Sequence, residues 1–319
     1  SFARGDDLAG GALGRAPLGS HQSLDRQEAE EQLVDALGHI VAYVQARESF
    51  GNKAGEVVQQ EQRQQHRRRE QQGPGGRKGR TALQRAEGQE GAKAQPNGPS
   101  GGLVGGDGER MRRYAREGTP LSGAYLQEVI ATALCVGESN ACMRKIVAAP
   151  TAGACGVLPA VMVPLYKNGG AEEEEILKAL YVASGIGAVI AFRACIAGAA
   201  GGCQAEIGSA CSMTAAALGE LFEMGLGQIG YAAEVAMEHH LGLTCDPIGG
   251  LVQIPCIERN AVAAMRAINA LSLANFLSET SKISFDTVVH TMYETGRDLN
   301  RVYRETAEGG LAKNYHPDK

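Results

Sequence analysis

Ser122-Gly123-Ala124-Tyr125-Leu126-Gln127-Glu128-Val129-Ile130-Ala131-Thr132-Ala133-Leu134-Cys135-Val136 decides the fold class. Leu126, Val129, Ile130, Ala133, Leu134 and Val136 fall on one face at helical spacing, so the stretch predicts a helix from Ser122 to about Lys145. The same period recurs downstream. It predicts helices at about Cys155 to Tyr166, kinked or ended by Pro159 and Pro164, and at Gln204 to Glu223, Gly230 to Leu241, Ile257 to Glu279 and Phe285 to Glu305. A further helix starts in the acidic run Glu172 to Glu175, which suits the positive end of a helix dipole. Glycine-rich breaks at Ala197 to Gly202, Gly225 to Gly227 and Asp246 to Gly250 separate these segments. The expectation is an all-α fold in which helix ends and glycine-rich loops converge on one point.

The composition agrees. The chain has 319 residues, 44% of them hydrophobic, with 5% aromatic and no Trp, so its core is built from Ala, Leu, Ile and Val. Its 43 glycines exceed the usual share of about 7% and imply close backbone approaches. A net charge of −5 gives no general polyanion-binding surface, so nucleic acid is not an expected partner. Ala179 to Phe192 is too short for the roughly 20 residues of a membrane span and reads as a buried helix, so no membrane partner is expected. No secretory leader is visible, and the missing initial Met suggests a fragment. Eight cysteines in a chain of this size suit reduced thiols and a cytoplasmic location.

Composition shifts near residue 100. Residues 1–100 form a divergent region, read as largely disordered or as the product of a shifted reading frame, and residues 101–319 form the helical domain. Asp25 to Ala46 alone carries helical periodicity there. The Arg67 to Arg69 run is either an RNA or partner contact or a solvated charge run.

The candidate chemistry lies in Cys203, Cys245 and Cys256, separated by 41 and 10 residues. No Cys-x-x-Cys spacing occurs among them, which excludes a zinc ribbon and a thioredoxin-type pair. Cys203 follows Gly201-Gly202, Cys256 follows Pro255, and each opens a helix, where partial positive charge lowers a thiol pKa. Cys245 precedes the turn Asp246-Pro247-Ile248-Gly249-Gly250. Three thiolates around a 2+ cubane would leave one iron open as a Lewis acid; three packing thiols are the alternative. Cys135, Cys142, Cys155, Cys195 and Cys211 lie among apolar neighbours and are assigned to the core.

Ala148-Ala149-Pro150-Thr151-Ala152-Gly153-Ala154-Cys155-Gly156, Gly201-Gly202-Cys203-Gln204-Ala205-Glu206-Ile207-Gly208-Ser209-Ala210-Cys211-Ser212-Met213 and Glu238-His239-His240-Leu241-Gly242-Leu243-Thr244-Cys245-Asp246-Pro247-Ile248-Gly249-Gly250 carry a resemblance. With Leu251-Val252-Gln253-Ile254-Pro255-Cys256-Ile257-Glu258-Arg259-Asn260 they resemble the α chain, or catalytic domain, of bacterial iron–sulfur L-serine dehydratase, over residues 101–312. The resemblance implies a [4Fe–4S] cluster on Cys203, Cys245 and Cys256, L-serine as substrate, a β chain or equivalent domain as partner, and oligomerisation. The β part of the family carries a Ser-Ser-His-Thr motif that does not occur here, and no cysteine stands at the end of this sequence to cap the iron.

Within that framework the amides of the Pro150 to Gly156 loop, with Thr151, Ala152 and Gly153, are candidates to hold the substrate carboxylate at a helix start; a plain helix cap is the alternative. His239 and His240, close before Cys245, are the candidate bases, with Lys145 and Glu206 as weaker ones. Asp246 either orients a neighbour or makes an Asx turn. A pyridoxal-phosphate dehydratase does not fit, because no lysine sits before a phosphate-cradling glycine loop. Other readings are a non-catalytic iron–sulfur or thiol sensor and an inactive fragment of the dehydratase.

Overall fold

A computed structural model describes residues 103–277 and 281–316. The helix expected at 25–46 and the Arg67 to Arg69 run lie outside the described residues. Helices dominate what is described: α1 Asp107–Glu117, α2 Gly123–Ala141, α3 Val157–Asn168, α4 Glu173–Arg193, the single turn α5 Gly198–Gly201, α6 Ser209–Leu221, α7 Leu226–Glu238, α8 Cys256–Leu277, α9 Phe285–Asp298 and α10 Gly310–Asn314. Among the described residues the β-structure is an isolated parallel bridge between Cys245 and Arg304.

The centre of the molecule is α6, buried from Ser209 through Gly219. Ala210, Ala215, Ala216 and Ala217 let α4, α7, α8 and α3 approach it closely. Gly187 of α4 rests on Met213, and Gly219 of α6 rests on Ile229, where a Cβ would come within 2.9 Å in both cases. Hydroxyls inside this apolar packing turn to the backbone. Ser212 Oγ donates to the Ala233 carbonyl at 2.7 Å, and Thr214 Oγ1 to that of Ala210 at 2.7 Å.

Helix α4 begins with a capping box between Glu172 and Glu175 and buries Ile176, Ala179, Leu180, Ala183, Gly187 and Ile190. Each of the large aliphatic side chains contributes about 1.5–3 kcal/mol through that burial. The helix has the length and apolar composition of a membrane span, and its buried stripe packs on α6.

Several boundaries differ from the sequence reading. Helix α3 runs through both prolines: Pro159 lies in its first turn, where a backbone N–H is not needed, and Pro164 stands inside the helix without ending it. Helix α1 was not foreseen; its first two amides are taken by Glu138 Oε1 at 2.7 and 3.2 Å, a cap supplied from α2. Cys142 is exposed and not in the core, since α2 stops at Ala141 and Met143 adopts a left-handed φ of 60°. Cys155 and Cys211 are buried, while Cys135 and Cys195 are half-buried. The last long helix ends at Asp298, not near Glu305. Glu305 and Ala307 then take left-handed φ values of 60° and 58°, turning the chain back toward Cys245.

Candidate metal centre

Gly202, at φ 77°, sets the position of Cys203; a Cβ there would meet the Leu243 carbonyl oxygen at 2.8 Å. Cys203 leads into a π-helical turn, Gln204–Gly208, that runs directly into α6. Such turns re-aim side chains within a helix, and this one is clamped by Gln204. Its Nε2 donates to the carbonyls of Gly201 and Met292 at 2.9 and 3.2 Å, while Oε1 accepts from Gly242 N–H at 2.9 Å. Cys245 is fixed by backbone bonds to the returning chain: its N–H donates to Tyr303 at 2.8 Å and its carbonyl accepts from Glu305 at 2.8 Å. Cys256 opens α8.

The Sγ atoms of Cys203 and Cys245 and a carboxylate oxygen of Glu206 lie within 4.8 Å of one another, all buried. Cys256, also buried, lies outside that close group but near enough to feel the charges of Cys203 and Glu206. The Cys203 thiol is pushed down, chiefly by a hydrogen bond with Cys245, and Arg259 adds to that. The same bond, together with burial, pushes Cys245 well up. Burial pushes Cys256 well up too, so desolvation outweighs the helix-terminus effect expected there. Arg259 is held by Asp246 Oδ1 at 2.9 Å and the Thr244 carbonyl at 2.7 Å. Asp246 therefore orients a neighbour, and its Oδ2 also caps α10 through Leu311 N–H at 2.7 Å.

The loop from Thr151 to Gly156 meets this centre through Glu206. Thr151 Oγ1 donates to Glu206 Oε1 at 2.5 Å. A Cβ on Gly153 would stand 2.5 Å from that oxygen, so only glycine fits without displacing the carboxylate. On the other side, a Cβ on Gly198 would stand 3.4 Å from Glu206 Oε2 and 3.1 Å from Cys245 Sγ. Asn260 ties the loop to the cysteine helix: Nδ2 donates to the carbonyls of Gly153 and Cys256 at 2.7 and 2.8 Å, and Oδ1 accepts from Gly156 N–H at 2.8 Å. Asn140 holds the Ala152 carbonyl at 3.0 Å. The amides of Ala154, Cys155 and Gly156 are spent on internal acceptors, whereas those of Ala152 and Gly153 have no acceptor among the described residues.

His239 and His240 are engaged elsewhere. The exposed His239 has Nδ1 2.8 Å from the Val235 carbonyl, and the buried His240 has Nδ1 2.7 Å from that of Ala236. Burial pushes His240 down to about 4, and its charged neighbours are Arg266 and His239. Neither ring is hydrogen-bonded to the three thiols or to Glu206. Lys145 is exposed.

The sequence model described as serine dehydratase alpha chain matches residues 53–312. The chain belongs to the serine dehydratase α-chain family. The match begins well inside the region read from its composition as irregular. L-serine dehydratase 2 of Escherichia coli (strain K12) is 50% identical over 183 residues, covering 56% of this chain and 40% of that protein. L-serine dehydratase of Streptomyces coelicolor is 47% identical over 205 residues, covering 64% and 45%. A probable L-serine dehydratase, alpha chain, of Bacillus subtilis (strain 168) is 40% identical over 211 residues, covering 66% and 70%. The α-chain family member described here thus spans less than half the length of the first two relatives.

The donor set of this α-chain centre fits a soft metal or iron–sulfur group: two thiols and one carboxylate, with a third thiol, Cys256, buried near them, out of water, and a guanidinium beside Cys203 to offset thiolate charge. From the sequence Glu206 is a weaker candidate than the histidines, and nothing there assigns a role to Asn140, Asn260 or Arg259. Asn260 carried a signal, a polar amide placed one turn after Cys256 at the start of an Ala-rich helix.

Proposed function

We propose that this chain is the cluster-bearing part of an L-serine dehydratase, an ammonia-lyase that converts L-serine to pyruvate and ammonia. The observation that carries the reading is the convergence of the Cys203 and Cys245 sulfurs with Glu206, which the Thr151 hydroxyl joins to the Pro150 to Gly156 loop. Cys203, Cys245 and Cys256 would hold a [4Fe–4S] cluster. That group, when bound, supplies a Lewis acid to polarise the β-hydroxyl of serine, a poor leaving group.

The chain's own residues do the rest of the positioning. The amides of Ala152 and Gly153, with Thr151 beside them, receive the substrate carboxylate. Asn140 and Asn260 keep those amides in place by holding the neighbouring carbonyls. Arg259 balances the charge of Cys203, and Asp246 fixes Arg259. Burial of Glu206 and Thr151 excludes water, which strengthens each of these polar contacts. Loss of the Cα proton and of hydroxide yields aminoacrylate, which tautomerises to the imine and is hydrolysed to pyruvate and ammonia.

A β chain or equivalent domain, assembly into an oligomer and a cytoplasmic location belong to the same proposal. The test is anaerobic reconstitution with iron and sulfide, reading iron content and L-serine-dependent pyruvate with and without a candidate β chain. The expected result is four irons per chain and pyruvate formation with the β chain, both lost in Cys245→Ser. A wild-type protein that binds no iron overturns the cluster. Iron binding without serine turnover in the assembled protein overturns the lyase reading in favour of a sensor or an inactive fragment.

A further inference from the structure

We propose that Arg259 is the positioning residue of the thiol centre: it fastens the three cysteine-bearing segments to one another and so limits how fast a bound cluster loses iron. The inference rests on the cluster reading and deepens it. Cys203 stands before a π-helical turn, Cys245 on an isolated bridge and Cys256 at the start of α8. Their mutual spacing has to be set by side chains that cross between these pieces. Gln204 joins the first two through Gly242 N–H, and Arg259 brings in the third. It lies one turn after Cys256 on α8, where a helical side chain covers the turn before its own Cα. Its guanidinium grips the chain on both sides of Cys245: one nitrogen donates to the Thr244 carbonyl at 2.7 Å, another to Asp246 Oδ1 at 2.9 Å. It is also hydrogen-bonded to the Cys203 sulfur.

The grip is built for arginine. Three acceptors share one group, and a planar guanidinium offers five N–H donors in a fixed fork, whereas an ammonium is a single point charge. Solvent is largely shut out, with the Arg259 side chain 18% exposed and that of Asp246 4%. Asp246 is itself braced, since its Oδ2 accepts from Leu311 N–H at 2.7 Å. Cys245 is consequently held from two directions, by Tyr303 and Glu305 through its own backbone and by Arg259 through its neighbours in sequence. Groups that orient metal ligands in this way change metal affinity by about 10-fold to 100-fold when they are removed. An N–H bonded to a ligand sulfur also draws charge from it, which alters the iron–sulfur bond directly.

The test needs no substrate. Full-length wild type, Arg259→Gln, Arg259→Lys and Asp246→Asn are loaded anaerobically with iron and sulfide. Transfer of iron to a ferrous chelator is then timed, and resonance Raman spectra record the Fe–S(Cys) stretching bands, which report hydrogen bonds to the ligand sulfurs. Arg259→Gln is expected to lose iron about 10-fold faster than wild type, with those bands shifted. Arg259→Lys keeps the charge but not the fork, and should stay within about 3-fold of the glutamine variant. A wild-type rate or unshifted bands in Arg259→Gln, or full rescue by lysine, overturns the proposal. If Arg259→Gln does not fold by circular dichroism, Asp246→Asn decides the matter: it leaves Arg259 and its charge in place, loosens only the grip on the Cys245 turn, and should speed iron loss about 3-fold, so a wild-type rate there refutes the clamp. A wild-type chain that takes up no iron overturns the cluster reading itself, a different result from iron held equally well by wild type and variants.

Discussion

Thr151 donates its hydroxyl to Glu206 across 55 positions of sequence, at 2.5 Å, with both residues buried. The bond joins the loop before α3 to the π turn that follows Cys203. Thr151→Ala removes the donor and leaves Glu206 Oε1 without it, at a cost of about 1–3 kcal/mol. We expect Tm to fall by about 3–8 °C by scanning calorimetry. Thr151→Ser, which restores the hydroxyl, should recover most of the loss.

Asn260 makes three hydrogen bonds that close the loop onto α8. Asn260→Ala strands Gly156 N–H and the Gly153 carbonyl in a buried region, so destabilisation of about 3 kcal/mol or more is expected in urea unfolding. Asn260→Asp keeps the acceptor for Gly156 but sets a carboxylate against two carbonyls, and should be no better than alanine. A midpoint near wild type for the aspartate variant would contradict this geometry.

Gly198 tests the thiol side of the centre. In Gly198→Ala the new methyl stands 3.1 Å from Cys245 Sγ, and the sulfur must give way. Iron retained after anaerobic reconstitution should drop at least twofold relative to wild type, with far-ultraviolet circular dichroism unchanged. Undiminished iron would show that Cys245 has room to move.

His240 makes stability pH-dependent. Its folded pKa, about 4, lies below its unfolded value, so the fold favours the neutral ring. The contribution is fully present above about pH 6.5, where both states are neutral, and is lost as pH falls toward 4. The shift corresponds to ~3 kcal/mol. Equilibrium unfolding between pH 7 and pH 4 should show that loss in wild type and a smaller one in His240→Asn.

Glu234 works in the opposite sense. Burial, with Glu238 alongside, pushes its carboxyl up to about 7, so the fold favours the protonated form. That stabilisation is present below the unfolded pKa and disappears as pH rises through 7. Glu234→Gln should therefore raise Tm at pH 8 and leave it nearly unchanged at pH 5. Equal shifts at both pH values would assign the effect to packing instead.

The sequence by itself determined the all-helical class, because the spacing of Leu126, Val129, Ile130 and Ala133 is a local property that any packing must respect. Glycines and prolines beside Cys203, Cys245 and Cys256 marked them only as one candidate among packing thiols; it was the resemblance to the dehydratase α chain that singled out the three cysteines and the Thr151 to Gly153 loop as a site. Tertiary structure decided the rest. It alone set Glu206 between loop and thiols, gave Asn260 its three partners, directed His239 and His240 to helix carbonyls, and raised the thiol of Cys256 against its helix terminus. Desolvation and hydrogen-bond partnership across dozens of positions come into being only when α3, α6 and α8 pack together.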